Sequence, residues 1–548
     1  MTTSRRGFVA GGGALALGAL LPRAGGALPA EHRQDVHDLV LRGGTVHDGT
    51  GAEARVADVA IRGDRIVEVG PALALRGRTE IDVRGLAVAP GFIDIHSHGD
   101  SNLAADPRAE SVIRQGVTTM VVGADGSSRA SGATSSSFAE LFARLSRLEP
   151  ATNVASMIGL GTVRGAVVGN GDRPATAAEL RQMTAMVERA VADGACGASS
   201  GLEYTPGAFA PPEELIALCR PLASRGLIYA THMRNEDDRL LEAIAESIAV
   251  ARGARCGLQV SHLKTQGPRN WSRLQSAFDL IAAARGEGID VAFDRYPYLA
   301  YATGLMNLFP VWSRDGGTAA FLARLGNPAT AKRIETETRA KVDLIGGWDN
   351  VQITGVRNPA DRDAEGKRLG AWAQATATAP YDALLGLLRR NGGSVDMAGF
   401  AMSEENLERI LAHPLGMVCS DGGAFAIDGP TRRGSPHPRG AGTFARILGR
   451  YVRERRVLTL PDAIRKMTSM PADRLRLAQR GRLAVGMFAD VVAFDPVTVA
   501  DTATFERPFQ YPVGIPLVIV NGSVALRNGT RSAVHAGRAV RSAGRGAG

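Results

Sequence analysis

Two histidines one residue apart, His96 and His98, close the apolar run 88–95. Residues i and i+2 of an extended segment face the same side, so both imidazoles are offered to one point, and imidazoles suit a borderline-soft cation such as zinc. A lone H-x-H is weak, but other ligand-type residues end other apolar runs: Asp125 after 117–123, His232 after 227–231, His262 after 257–261 and Asp421 after 416–420. A cation held by two or three imidazoles and a carboxylate keeps a position open for water, acidifies that water and polarises a carbonyl. Asp421 is then placed to take the water's proton and return it to a leaving nitrogen, which is hydrolysis at an sp² carbon. Asp125 before Gly126 and Asp421 before Gly422 also read as turn aspartates. Glu203 either reaches the metal, bonds locally or contacts substrate. His32, His37, His47 and His535 sit in polar or terminal text, and His413 before Pro414 reads as a helix-end residue. There is no phosphate loop, and 159–165 lacks dinucleotide spacing.

A frame is needed to bring these residues together. From residue 88 on, strand-like runs alternate with helix-like text, and after the first run strands are predicted at 117–123, 154–160, 195–201, 227–232, 257–262, 291–296 and 416–420. With the first that makes eight, the number that closes a (β/α)8 TIM barrel, an α/β fold whose catalytic groups stand at the C-terminal ends of strands. Helices are predicted at 176–192, 213–225, 237–252 and 273–285. The seventh connection, residues 299–415, far exceeds an ordinary loop and is either a lid over the barrel mouth or an unrelated subdomain. Short alternating runs broken by Gly and Asp fill 36–81 and return at 489–494 and 517–522, so both chain ends are expected to build one small β domain. The expected organisation is an export signal (1–30), a β-sandwich in two parts (36–86 and 477–530), the barrel (87–476, insertion about 299–400) and a disordered basic tail (531–548).

Arg5-Arg6 precedes an uncharged stretch, 9–21, that is too short and glycine-rich to span a bilayer. It reads as a twin-arginine signal, implying the twin-arginine export machinery as a partner, a periplasmic or secreted protein and no membrane anchor. Arg5, Arg6 and Arg23 supply three of the nine net positive charges, and four more arginines lie from Arg531 onward. The body is therefore near neutral, which argues against a nucleic-acid partner. Cys196, Cys219, Cys256 and Cys419 are widely spaced in apolar text and read as buried free thiols.

Several short stretches resemble the N-acyl-D-amino-acid deacylases (D-aminoacylases) of the amidohydrolase superfamily. They are Gly116-Val117-Thr118-Thr119, Gly201-Leu202-Glu203-Tyr204-Thr205-Pro206-Gly207, Thr231-His232-Met233-Arg234, Ser261-His262-Leu263-Lys264, Tyr296-Pro297-Tyr298, Ser420-Asp421-Gly422, His437-Pro438-Arg439-Gly440 and Gly442-Thr443-Phe444. The resemblance runs from about residue 38 to 530. It implies a zinc enzyme that hydrolyses the amide of N-acyl-D-amino acids, with one tightly bound zinc and room for a weaker second. His232 and His262 would hold the tight ion, His96 and His98 with Asp421 would frame the neighbouring site, and Asp421 would be the general acid/base. Tyr204, Lys264 and Arg439 match substrate-contacting positions, the cations facing the α-carboxylate. One departure stands out: the family's Gly-Asn-Cys-Gly, whose cysteine binds metal, reads Gly123-Ala124-Asp125-Gly126 here. A carboxylate is harder than a thiolate, so Asp125 would keep a ligand while changing the metal preference. No lysine ends the fourth strand, as it does in hydantoinase- and dihydroorotase-like enzymes, so cyclic-amide hydrolysis is the alternative, ahead of a metal-binding protein without activity.

Overall fold

The computed structural model describes residues 36–74, 76–129 and 137–543. The expected export signal lies outside them. Eight parallel strands follow one another around a barrel: Phe92–Asp94, Val117–Val122, Asn153–Ser156, Gly197–Gly201, Ile228–His232, Gly257–Val260, Val291–Arg295 and Gly416–Val418. The third strand pairs with the second and continues after Met157 as Ile158–Gly159, which pairs with the fourth. Between the eighth and first strands the backbone bonds Asp421 N to His96 O (2.8 Å) and His98 N to Gly422 O (2.9 Å) draw the circle closed, right beside the site. Strands such as Val117–Val122 are buried on both faces, as a sheet wrapped by helices requires, which is why they read as unbroken apolar runs.

The predicted helices fall within a few residues of Ala177–Asp193, Pro212–Ala223, Leu240–Ala254 and Leu274–Gly286. The first starts at a capping box, Thr176 with Glu179, and buries Met183, Met186, Val187, Ala190 and Val191 at three- and four-residue spacing.

The small β domain is built from both chain ends as expected. Its strands form one nine-stranded sheet in which Val491–Phe494 lies between Ala87–Pro90 and Leu517–Val520. Leu41, Val59, Ile61, Val88, Val491 and Ile519 share its core. The apolar run 88–95 is thus two strands. Ala87–Pro90 belongs to the small domain, and the boundary expected at 87 falls inside the run, at Gly91. A Cβ at Gly91 would lie 2.2 Å from Thr118 Oγ1, so the chain passes from one domain to the other only through glycine.

The long connection is a unit of its own, with the antiparallel sheet Ala300–Gly304, Val395–Phe400, Val351–Val356 and helices including Pro328–Leu344. Its core merges with that of the barrel: Phe309, Ile334 and Leu384 belong to the same buried cluster as Ile93 and Ile228. It is therefore the barrel's own cover.

The disordered tail expected from 531 is not what the structure shows. Thr530–Arg531 is a strand, and the chain to 543 lies along the start of the third barrel strand through Val154 N to Arg538 O (2.9 Å) and Val540 N to Val154 O (2.8 Å). Ser542 N adds a bond to Gly194 O (3.1 Å), and Arg541 lies over the Phe142 ring. Composition suggested disorder, but small residues also allow a backbone to lie close against a strand edge. A Cβ at Gly537 would be 2.2 Å from Thr152 O. All four cysteines are buried and free, as expected.

Candidate metal centre

Strand ends deliver the predicted ligands to one place. His96, Asp125, His262 and Asp421 present donor atoms that all lie within 4.8 Å of one another. His98 joins them through Nε2, 3.1 Å from Asp421 Oδ1 and 3.3 Å from Asp125 Oδ2. His232 completes the group, its Nδ1 3.0 Å from His262 Nε2. Asp125, His262 and Asp421 all have left-handed backbones, with φ of 50°, 38° and 49°. That sparsely populated conformation turns each side chain from the strand direction into the barrel mouth. The loop carrying Asp125 is held tightly at Gly123, where a Cβ would meet Met157 O at 2.2 Å.

The donor spacing fits a cation. Tetrahedral zinc with bonds of about 2.0–2.1 Å sets its ligand atoms roughly 3.3–3.4 Å apart. His96 Nε2 is 3.4 Å from Asp125 Oδ1 and 3.5 Å from Asp421 Oδ1, and His262 Nε2 is 3.5 Å from Asp125 Oδ2. Both His96 Nε2 and Asp125 Oδ1 are buried without a hydrogen-bond partner, which is costly for the protein alone and natural for ligands. Glu203 meets His232 Nε2 at 3.4 Å, on the far side of that ring from His262, so it steadies an imidazole while Asp125 joins the donors.

Charge in the site is compensated by the protein. Burial by itself would raise the Asp125 carboxyl, but the His96 and His262 imidazoles hold it well below its ordinary range. Burial likewise opposes ionisation of Asp421, and the Arg439 guanidinium, 2.7 Å away, overcomes it together with His96 and His262. Burial would lower His98, yet hydrogen bonds to Asp125 and Asp421 push it up to about 9. The Tyr204 hydroxyl, 3.5 Å from His232 Nδ1, is kept protonated by burial and by the charge of Asp125.

The three residues matched to substrate contacts all line the cavity, but they are not equivalent. Arg439 is buried, pairs with Asp421 and lies over the Tyr296 ring. His437 accepts the Arg439 backbone N–H at Nδ1 and donates from Nε2 to Ala300 O, tying the arginine to the insertion. Lys264 faces inward: its Nζ is 2.6 Å from both Glu236 Oε1 and His262 Nδ1.

Two buried carboxylates escaped the sequence reading. Glu236 lies 3.1 Å from His262 Nδ1 and accepts from Lys264 and Gln266. Asp294 lies 3.4 Å from His96 Nδ1 and accepts the His262 backbone N–H at 2.8 Å. Such carboxylates fix the ring and tautomer that a metal sees. Their signals were present: Glu236 stands four residues after His232, and Asp294 ends the apolar run 291–293 inside a predicted strand.

Above the donors opens a cavity of about 720 Å³. Tyr301, Thr303, Asn307, Leu308, Lys341 and Met397 of the insertion form one wall, which decides the earlier alternative in favour of a cover over the mouth.

A barrel with imidazoles and carboxylates gathered at its strand ends, joined to a small β domain from both termini, defines a metal-dependent amidohydrolase. The profile of an amidohydrolase family matches residues 422–526. The D-aminoacylase of Alcaligenes xylosoxydans xylosoxydans is 36% identical over 518 residues, covering 91% of this chain and 97% of that protein. The zinc complex of N-acyl-D-glutamate deacylase from Bordetella bronchiseptica, bound to a phosphonate mimic of the tetrahedral intermediate, superposes with a TM-score of 0.80 at 35% identity, covering 92% of this chain and all of that one. The chain belongs to the D-aminoacylase family. D-hydantoinase from Bacillus sp. AR9 shares the fold alone, with a TM-score of 0.54 at 18% identity over 92% of this chain and all of that one.

Proposed function

We propose that this protein hydrolyses N-acyl-D-amino acids to a carboxylate and a D-amino acid, using zinc held by His96, His98, Asp125, His232, His262 and Asp421. The observation that carries the reading is the ring of buried donors at metal-ligand spacing, with Asp421 ionised among them and paired with Arg439. Zinc bound there supplies Lewis acidity, lowering the pKa of water and polarising the scissile carbonyl. Asp421, kept deprotonated by Arg439, accepts the proton of the attacking water and delivers it to the amide nitrogen as the C–N bond breaks. The Tyr204 hydroxyl donates to a substrate oxygen. The Arg439 fork holds the α-carboxylate, while Lys264 and Glu236 hold the His262 ring. The cyclic-amide alternative keeps only the shared fold in its favour.

The test is a panel of N-acyl-D-, N-acyl-L- and cyclic amides with metal analysis on the same preparation. D-selective release of amine, lost on chelation and restored by zinc, is expected. Stoichiometric metal without turnover would refute the enzyme reading. For Asp125, the alanine variant should lose metal, and the cysteine variant should keep it and prefer softer ions; normal metal content in the alanine variant would return Asp125 to a turn role.

Export through the twin-arginine route to the periplasm or beyond belongs to the same proposal, supported by Arg5-Arg6 before the uncharged stretch and by a metal site assembled from distant strands, which is filled most readily after folding. Among the described residues no helix is long and apolar enough to cross a membrane. Undiminished export after replacing Arg5 and Arg6 by lysine would refute it.

A further inference from the structure

We infer that the cavity selects N-acyl-D-amino acids with uncharged side chains and turns away a second carboxylate; this rests on the deacylase reading above. Every N-acyl-amino acid brings an α-carboxylate, and acyl-D-glutamate or acyl-D-aspartate brings one more. Two carboxylates need two cations free to meet them. Among the described residues lining the cavity, the cations other than imidazoles are Lys264, Lys341 and Arg439, and each already faces a protein carboxylate. Arg439 pairs with Asp421 at 2.7 Å, Lys264 with Glu236 at 2.6 Å and Lys341 with Asp237 at 2.5 Å.

The three pairs differ in what they have left to offer. Arg439 Nη1 makes no hydrogen bond beyond its ion pair, so its planar fork has capacity for one substrate carboxylate. Lys264 is buried, and the His262 ring crowds its Nζ, with Nδ1 2.6 Å away. Lys341 is shared between Asp237 and the nearby charge of Glu203. A second substrate carboxylate would have to displace one of these partners and strand a protein carboxylate without its cation. The insertion adds repulsion: Asp396 lines the cavity from its solvent side and forms no ion pair among the described residues. Leu308, Met397 and Tyr301 on the same wall suit an apolar or neutral side chain.

Two buried guanidiniums in the region, Arg295 and Arg314, have no carboxylate partner among the described residues; Arg295 lies over the Tyr296 ring, donates to Tyr298 O at 2.8 Å and does not line the cavity. Arg314 donates to Asn307 Oδ1 at 2.7 Å and its Nε is unpartnered. Arg314 stands behind Asn307 and lines two side cavities, not the main one.

The experiment measures kcat/KM of the zinc-loaded full chain for N-acetyl-D-methionine, N-acetyl-D-leucine, N-acetyl-D-glutamate and N-acetyl-D-aspartate. The neutral substrates should lead the acidic ones by about 100-fold, the scale of like-charge juxtaposition in a closed site. In Asp396→Asn the ratio of glutamate to methionine substrate should rise about 5-fold, the scale of one exposed charge, and a ratio does not depend on how much of the variant is folded. Turnover of acyl-D-glutamate within tenfold of acyl-D-methionine overturns the inference, and its loss in Arg314→Met would then assign the second carboxylate to Arg314. An unchanged ratio in Asp396→Asn overturns it as well, since charge would not be what selects. No turnover on any acyl-D-amino acid overturns instead the deacylase reading beneath it.

Discussion

At the C-terminal end of the barrel strands, buried polar atoms that make no hydrogen bond stand close together: His96 Nε2, Asp125 Oδ1 and Arg439 Nη1. The other end carries a buried polar group of similar size in which each side chain is answered. Arg480 pairs with Asp490 and donates to Asn521 Oδ1 at 3.0 Å, Asn521 donates to Asn153 Oδ1 at 2.8 Å, and Asn153 in turn donates to Asp490. This network joins the small domain, the third barrel strand and, through Arg538 N to Asn153 Oδ1 (3.1 Å), the C-terminal segment. One barrel thus ties this lower network together with a hydrogen bond for every side chain in it and keeps a cluster of buried groups without hydrogen bonds at its upper end. The difference teaches where stability and chemistry have been separated: an unsatisfied buried group is a cost unless a ligand is meant to meet it.

The sharpest way to break this comparison is to change each end alone. Asp421→Asn should keep the fold and most of the metal while kcat falls about 10²–10⁴-fold, because an amide of the same shape cannot carry the proton. Steady-state kinetics with metal analysis decides it, and kcat within a few-fold of the parent in a metal-filled variant would remove Asp421 from proton transfer. Arg480→Met should do the reverse. Breaking a buried ion pair costs about 3–5 kcal/mol, visible in denaturant unfolding, with kcat of the folded fraction unchanged. A kcat loss that precedes unfolding would show that the two ends are coupled.

A smaller effect sharpens the role of the upper pair. Arg439→Ala should raise KM for an acyl-D-amino acid about 10–100-fold, the scale of a lost charge-assisted hydrogen bond. Because the same guanidinium faces Asp421, kcat should also drop, though less than in Asp421→Asn. A change in kcat with KM unmoved would take the α-carboxylate away from Arg439. The smallest effect is expected at the lower end, where ending the chain after Ser532 removes the bonds of Arg538, Val540 and Ser542. Thermal unfolding should report a loss of about 1–3 kcal/mol at unchanged metal content. No shift at all would make the segment a passive tail after all.

Much of the barrel was legible because its signal is local. A strand buried on both faces must be apolar throughout, and a helix over it must repeat every three to four residues, so 117–123 and 176–192 could be placed within a few residues. The ligands at strand ends were legible for a related reason: a histidine or aspartate directly after an apolar run has few structural reasons to be there. What the residues alone determined about this protein is therefore its eight barrel strands, four of its helices, the donor residues that the strand ends bring together and the pairing of both chain ends in one small domain. Only the tertiary structure decided which groups serve which: that Gly91 divides one apolar run between two domains, that Lys264 is bound to Glu236 and His262, that Asp294 stands behind His96, and that the C-terminal segment lies on the third strand. Each depends on contacts between residues far apart in sequence, and their partners are set by how the barrel closes, which no local pattern of polarity encodes.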